Sequence, residues 1–343
     1  MPRKSKSVEE LLKIEQLRKK LEPYCEFRRE TLITSDEVSY PIYSLGFGEK
    51  RPDSPVIAFI GGVHGLEVIG TQIIITYLES MFQLLQWDST ISDQLKKVRL
   101  LFYPCANPAG MAMHRRSNAN GVDIMRNAPV DGESIPKLFL PGGHRLSPNI
   151  PWYRGDAKQE MQVETKTLYN FIKREMWDAP FSLAIDLHSG FGVRDRIWFP
   201  YAYSKKQFPR TVEVLALKKL LNKTYPQNKN KYRIEPQSHN YRAHGDIWDY
   251  LFLEHQELHA DKIFIPLCLE LGSWLWIKKN PRQMFHSHGI FNPIIPHRLM
   301  RTLRRHLLLL DFLIRATISY EKWAILSEEK RVKYGIEAKV LWS

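Results

Sequence analysis

The run Val56-Ile-Ala-Phe-Ile-Gly-Gly-Val-His64-Gly-Leu-Glu67 constrains this chain more than any other stretch. Its apolar half reads as a strand covered on both faces, which demands helices above and below it. The strand breaks at a glycine pair and at once presents His64 and Glu67, three residues apart. A buried strand gains nothing from such an ending, but a metal site does. Zinc is held by imidazole nitrogen and carboxylate oxygen, and a catalytic zinc keeps three protein ligands. The i, i+3 spacing on a tight turn sends both side chains the same way.

Apolar runs alternate with helical patterns along the rest of the chain. Residues 7–22 read as a charged helix stopped by Pro23, and a helix is expected from about Leu66 to Gln86. Strands are expected at Val98–Pro104, Phe181–Leu187 and Ile263–Leu271, with helices at about Gln159–Glu175 and Thr211–Tyr225. A long Asn-, Pro- and Gly-rich loop covers Asn107–Arg154, and a basic amphipathic helix of about 20 residues runs from His297 and docks on the sheet. This order predicts an α/β fold: a mixed, largely parallel central sheet with helices on both faces, in a single domain. Ligands of such sheets sit outside the carboxyl ends of the strands, where His64 falls.

Composition removes several alternatives. No stretch of about 18 apolar residues is present to span a membrane, and Met1–Lys6 leads into Glu9 and Glu10 rather than an apolar leader, so a cytoplasmic protein is expected. The three cysteines, Cys25, Cys105 and Cys268, lack metal-binding or C-x-x-C spacing and read as reduced structural thiols. A net charge of +13 invites nucleic acid, yet the clusters at Lys4–Lys20, Arg28-Arg29, Lys229–Arg233 and Arg298–Arg305 are scattered and accompany no nucleic-acid motif. They read as solvated basic faces or as an affinity for anionic substrates.

His188 closes the strand of Ala184-Ile-Asp-Leu-His-Ser-Gly190 as His64 closes its own, which makes it the third ligand candidate. Between them, the loop from Asn107 to Asn127 carries Arg116, Asp123 and Arg126. An arginine fork suits a carboxylate or a polarised carbonyl, and Asp123 could accept the remaining ring N–H of a ligating histidine.

His64-x-x-Glu67, Asn107-Pro-Ala-Gly110, Gly121-Val-Asp123-x-x-Arg126-Asn127 and Asp186-Leu-His188-Ser189 together resemble the zinc metallocarboxypeptidases of the carboxypeptidase A type. Tyr241-Arg-Ala-His-Gly245-Asp-Ile-Trp248-Asp249-Tyr250 is similar to the segment with that family's mobile tyrosine, and Leu269-Glu270-Leu271 to its catalytic strand. The motifs keep family order over residues 56–275, most of the chain. The resemblance implies a divergent, bacterial-type, cytoplasmic member binding one zinc per chain through His64, Glu67 and His188, with Asp123 orienting His64. It makes Glu270 the base for the attacking water and Arg116 the oxyanion partner. Arg126 would hold the substrate's terminal carboxylate, Asn127 would be a further substrate-binding residue, Tyr241 would close over the substrate, and Trp248 would occupy the specificity position. The catalytic domain would cover residues 31–325, after an N-terminal helical extension (1–30) and before a C-terminal tail (326–343).

Two departures bear on substrate. The residue before the carboxylate-binding arginine is usually Asn in the family, but here it is Met125, whose thioether cannot donate a hydrogen bond. A ring at Trp248 would shorten a pocket or offer a stacking surface, and Val130–Trp152 would reshape its entrance. The expected function is therefore zinc-dependent amide hydrolysis, foremost removal of a C-terminal residue from a peptide. The alternatives are a deacylase of N-acylated amino acids, similar to aspartoacylase and succinylglutamate desuccinylase, and a silent peptide- or nucleic-acid-binding protein. The expected partner is a peptide or small amide, with no nucleic acid or membrane, and the sequence leaves the oligomeric state open.

Overall fold

A computed structural model describes residues 9–136, 139–228, 231–286 and 289–342. The leading segment Met1–Lys6, the start of the expected first helix and Lys229 lie outside the described residues. The strands are β1 (Glu26–Ser35), β2 (Val38–Phe47), β3 (Val56–Gly61), β4 (Arg99–Tyr103), β5 (Phe181–Ser189), β6 (Arg196–Phe199), β7 (Arg233–Pro236) and β8 (Ile263–Leu271). The helices are α1 (Glu9–Leu21), α2 (Val68–Leu84), α3 (Ser89–Leu95), α4 (Pro108–Ala112), α5 (Val163–Met176), α6 (Thr211–Thr224), α7 (Ile247–Leu258), α8 (Trp274–Lys279), α9 (Pro296–Ile318) and α10 (Glu328–Leu341).

One sheet holds all eight strands in the order β1-β2-β4-β3-β5-β8-β6-β7. It is mixed: β3 pairs in parallel with β4 and β5, as do β5 with β8 and β6 with β7, while the other pairs are antiparallel. Every residue of β3, β4, β5 and β8 is buried. Right-handed crossovers explain why. The connection from β3 to β4 steps one way along the sheet and that from β4 to β5 steps back, so their helices fall on opposite faces. Accordingly α2 and α9 pack against β3 and β5, and α5 and α7 cover β3 and β8 from the other side. The carboxyl ends of β3 and β5 lie where the winding reverses, the place at which such sheets bind ligands.

Both described ends of the chain pack on the rest of the fold. Ile14, Leu17 and Leu21 of α1 are buried in the common core, and α1 packs on α2. A boundary at residue 30 falls inside β1, the edge strand that pairs with β2 through a tight turn at Asp36 and Glu37, both in the left-handed region. Residues 328–341 are helix α10 rather than a tail. It packs on α6, with Arg331 donating to buried Glu213 at 3.1 Å and the Trp342 indole donating to the Ile234 carbonyl at 2.9 Å. Among the described residues no single helix is long and apolar enough to cross a membrane.

Helix α9 docks through Leu303, His306, Leu310, Leu313 and Thr317, one stripe at helical spacing. His306 is a polar member of that stripe. Its Nδ1 lies 3.2 Å from the Tyr232 hydroxyl, and its Nε2 lies 3.7 Å from Asp195, which also receives Arg305 at 2.6 Å. Burial pushes His306 down to about 4, with Asp195 opposing and Arg305 and Lys231 adding to the fall. The folded state thus holds this ring neutral while the unfolded chain protonates it near pH 6.5. Its contribution is complete above about pH 6.5 and is lost as pH falls toward 4, about 3 kcal/mol in all. Urea titrations of His306→Gln should show a shallower loss of stability between pH 7 and pH 4.5 than wild type. Identical slopes would refute the assignment.

Candidate active site

Two strand ends and one helix start build the site. After β3 the chain turns at Gly62, whose φ of +63° and the Thr71 hydroxyl 2.8 Å from any added Cβ both exclude a side chain. His64 follows, and a turn closed by the Glu67 N–H on the His64 carbonyl, 3.0 Å, brings Glu67 to the first residue before α2. His188 lies near the end of β5, in register with Glu270 of β8. Parallel pairing in that register sets the two side chains next to each other.

His64 Nδ1 lies 2.8 Å from Glu67 Oε1, His188 Nδ1 lies 3.0 Å from Glu67 Oε2, and the two Nδ1 atoms are 3.2 Å apart. Zinc–ligand bonds of about 2.0–2.1 Å in a tetrahedron separate ligand atoms by about 3.4 Å, close to these spacings. The far ring nitrogens face carboxylates: His64 Nε2 lies 3.2 Å from Asp123 and His188 Nε2 lies 2.7 Å from Asp186. That turns both Nδ1 atoms inward, the arrangement by which an outer carboxylate orients a ligating imidazole. All three candidate ligands are buried. The residues therefore fit a zinc ion in donor type, number and convergence.

Charge among these side chains is distributed accordingly. Burial alone would raise the Glu67 carboxyl, but His64 and His188 outweigh it and hold it well below the usual range. Burial also opposes protonation of His188, and Asp186 with Glu67 reverses that, so the ring holds its proton well above the ordinary value. A bound cation would take the place of that proton. Glu270 is pushed up to about 8, first by burial and then by the charge of Glu67.

Arg116 reaches the same cluster, donating from Nε to Asp123 at 2.8 Å and from a terminal nitrogen to Glu67 at 3.4 Å. Arg126 is buried, with one terminal nitrogen donating to the Tyr241 hydroxyl at 3.2 Å and the other 3.8 Å from Asp246. A cavity of about 600 Å³ opens onto His64, Glu67, His188, Glu270, Arg116, Arg126 and Tyr241 together. Met125 lines it as well, as do Phe139, Pro141, Pro151 and Trp152 of the inserted loop.

Asn127 and Trp248 are the expected substrate residues that this cavity does not bring together with the others. Asn127 donates to the Arg154 carbonyl at 2.8 Å and accepts the Gln162 N–H at 2.6 Å, so its amide is spent on bracing the loop. Trp248 is buried behind the site, where its indole N–H donates to Asp186 at 2.9 Å. The sequence reading also passed over Asp186, Trp198, Gln237 and Phe291. Asp186 carried a readable signal, an acid inside an apolar strand two residues before a candidate ligand. The other three carried none, because only the fold brings β6, β7 and the segment before α9 to the cavity.

The zinc carboxypeptidase family matches residues 29–271. The chain is 24% identical over 163 residues to carboxypeptidase D of Mus musculus, a match spanning 45% of this chain and 10% of that protein. It is 26% identical over 162 residues to carboxypeptidase SOL1 of Arabidopsis thaliana, covering 46% and 28%. The chain thus spans a small part of the curated relatives it matches. Among solved structures, bovine thrombin-activatable fibrinolysis inhibitor in complex with tick carboxypeptidase inhibitor shares the fold with a TM-score of 0.63 at 18% identity, covering 90% of this chain and 95% of that one. Carboxypeptidase A of Helicoverpa armigera gives 0.55 at 17%, covering 86% and 71%. With the match running from β1 through the strand that carries Glu270, the chain belongs to the zinc carboxypeptidase family.

Proposed function

We propose that the chain is a zinc-dependent hydrolase that removes the C-terminal residue of a peptide. The observation that carries this reading is the opening of one cavity onto the His64–Glu67–His188 group, Glu270, Arg116 and Arg126 at once. Held by His64, Glu67 and His188, zinc would polarise a carbonyl and make a water acidic enough to lose its proton. Glu270 accepts that proton and delivers it to the departing amine. Arg116, braced by Asp123, binds the carbonyl oxygen as negative charge grows on it. Arg126 binds the substrate's terminal carboxylate, while Asp246 and the Tyr241 hydroxyl fix the orientation of its fork. Tyr241 walls off the bound residue from water. The three unpaired cysteines support the cytoplasmic setting expected from the sequence.

The cavity wall also supports a preference. Met125, Trp198, Tyr241 and Cys268 are neutral there, and burial keeps the Cys268 thiol protonated by pushing it well above its ordinary range. Among the described lining residues the only acids are Glu67 and Glu270. A cationic terminal side chain would be desolvated without a dedicated partner, which costs more than a bulky neutral one. Peptides ending in Phe should be cleaved with kcat/KM at least ~10-fold above those ending in Arg, by the desolvation argument. Pairing each free-acid peptide with its amidated form tests the reading itself. Strict dependence on the free terminus supports it. Faster turnover of amidated peptides or of N-acyl amino acids would favour the deacylase reading, which Met125 in the wall beside Arg126 keeps in view.

A further inference from the structure

Trp248 and Asp186 have no part in the chemistry above, yet both are buried and directly joined. Asp186 and His188 are two residues apart in β5, so their side chains share one face of the sheet. Asp186 Oδ2 lies 2.7 Å from His188 Nε2 and accepts the Trp248 indole N–H at 2.9 Å. Trp248 belongs to the first turn of α7, whose start is fixed by Asp246 accepting the N–H groups of Trp248 and Asp249. Asp246 is also the residue 3.8 Å from Arg126. Directly before it, Gly245 has φ of +68°, and a Cβ there would meet the Arg126 carbonyl oxygen at 1.8 Å. One helix start is therefore pinned to the anion-binding arginine on one side and to the outer partner of a metal ligand on the other.

We propose that Trp248 is a positioning residue of the metal site: its indole N–H holds Asp186, and Asp186 holds the His188 ring with Nδ1 turned toward Glu67. The proposal rests on the zinc reading of His64, Glu67 and His188. A carboxylate held by the indole N–H keeps its place beside the His188 ring, and its charge 2.7 Å from Nε2 favours the proton on that nitrogen, which leaves Nδ1 for the metal. Removing the indole N–H leaves Asp186 free to turn, so the cost should appear in metal affinity.

The test measures zinc Kd by chelator competition, with stability of the metal-free protein recorded alongside, for wild type, W248F, D186N and the double variant. W248F should weaken zinc about 10-fold, the lower end of the range for outer partners of metal ligands. D186N, which keeps the side chain's volume, should weaken it at least as much, and W248F should add little further loss once Asp186 is replaced. Unchanged Kd in W248F overturns the proposal. So does an equal loss from W248F with Asp186 intact or replaced, which would mark simple packing. If W248F does not fold, D186N decides, since an unchanged Kd there breaks the chain at its middle. A wild-type protein that binds no zinc overturns the metal reading beneath, a result distinct from the others.

Discussion

Glu270→Gln should retain one zinc per chain while kcat falls by about 10²–10⁴, the range for loss of a positioned proton acceptor. The substitution keeps the shape of the side chain and leaves His64, Glu67 and His188 untouched, so metal content is the internal control. Glutamine cannot take a proton, whereas the Glu270 carboxyl is pushed up to about 8 by burial and by Glu67. The positive charge of a bound metal would act against that rise. A carboxyl raised in the folded state costs stability once the solution is basic enough to ionise the unfolded group. The metal-free variant should therefore be at least as stable as wild type above about pH 5. Zinc assay and single-turnover kinetics check the two halves separately. A variant with full zinc and normal turnover would remove Glu270 from the mechanism.

Legibility in the sequence followed burial and locality. The strands β3, β5 and β8 are apolar end to end because both faces are covered, and such runs stand out without any partner in view. His64 and Glu67 were readable because they share one turn, and His188 because it ends a second strand of the same kind. β1 was not readable: it is a half-exposed edge strand, Glu26-Phe-Arg-Arg-Glu-Thr-Leu-Ile-Thr-Ser35, whose charges are what keeps an edge from pairing with other chains. Strands β6 and β7, four residues each, are too short to carry a period. The reading of Trp248 as a pocket wall came from its place in a motif. Position in the chain could not reveal that the ring turns under the sheet end to reach Asp186. Asn127 is parallel: its neighbours Arg154 and Gln162 lie 27 and 35 residues away and claim its amide.

Arg126→Gln should lower kcat/KM on free-acid peptides by about 10²–10⁴, from the 3–5 kcal/mol cost of leaving a buried charge partner unmatched. Arg126 is a buried cation already close to two other groups, so the question is which of its interactions the loss reflects. The Tyr241 hydroxyl and Asp246 hold it, and its elevated pKa has burial working against it while Tyr241, Asp123 and Asp246 more than compensate. In the absence of substrate the guanidinium is therefore a fixed charge at the cavity wall, and Met125 beside it adds no donor. A substrate carboxylate would meet one strong cationic partner rather than an arginine–asparagine pair, which makes Arg126 carry more of the recognition. The comparison that isolates this uses four rates: wild type and Arg126→Gln, each on a free-acid peptide and on its amide. If Arg126 binds the terminal carboxylate, the variant's loss should be much larger on the free acid than on the amide, with the excess mainly in KM. Gln at 126 also leaves Asp246 without its cation at 3.8 Å, so some loss common to both substrates is expected through the start of α7. The discriminating quantity is the difference between the two losses. Equal losses on acid and amide would mean that Arg126 serves the architecture of the site and that the substrate's terminus is recognised elsewhere.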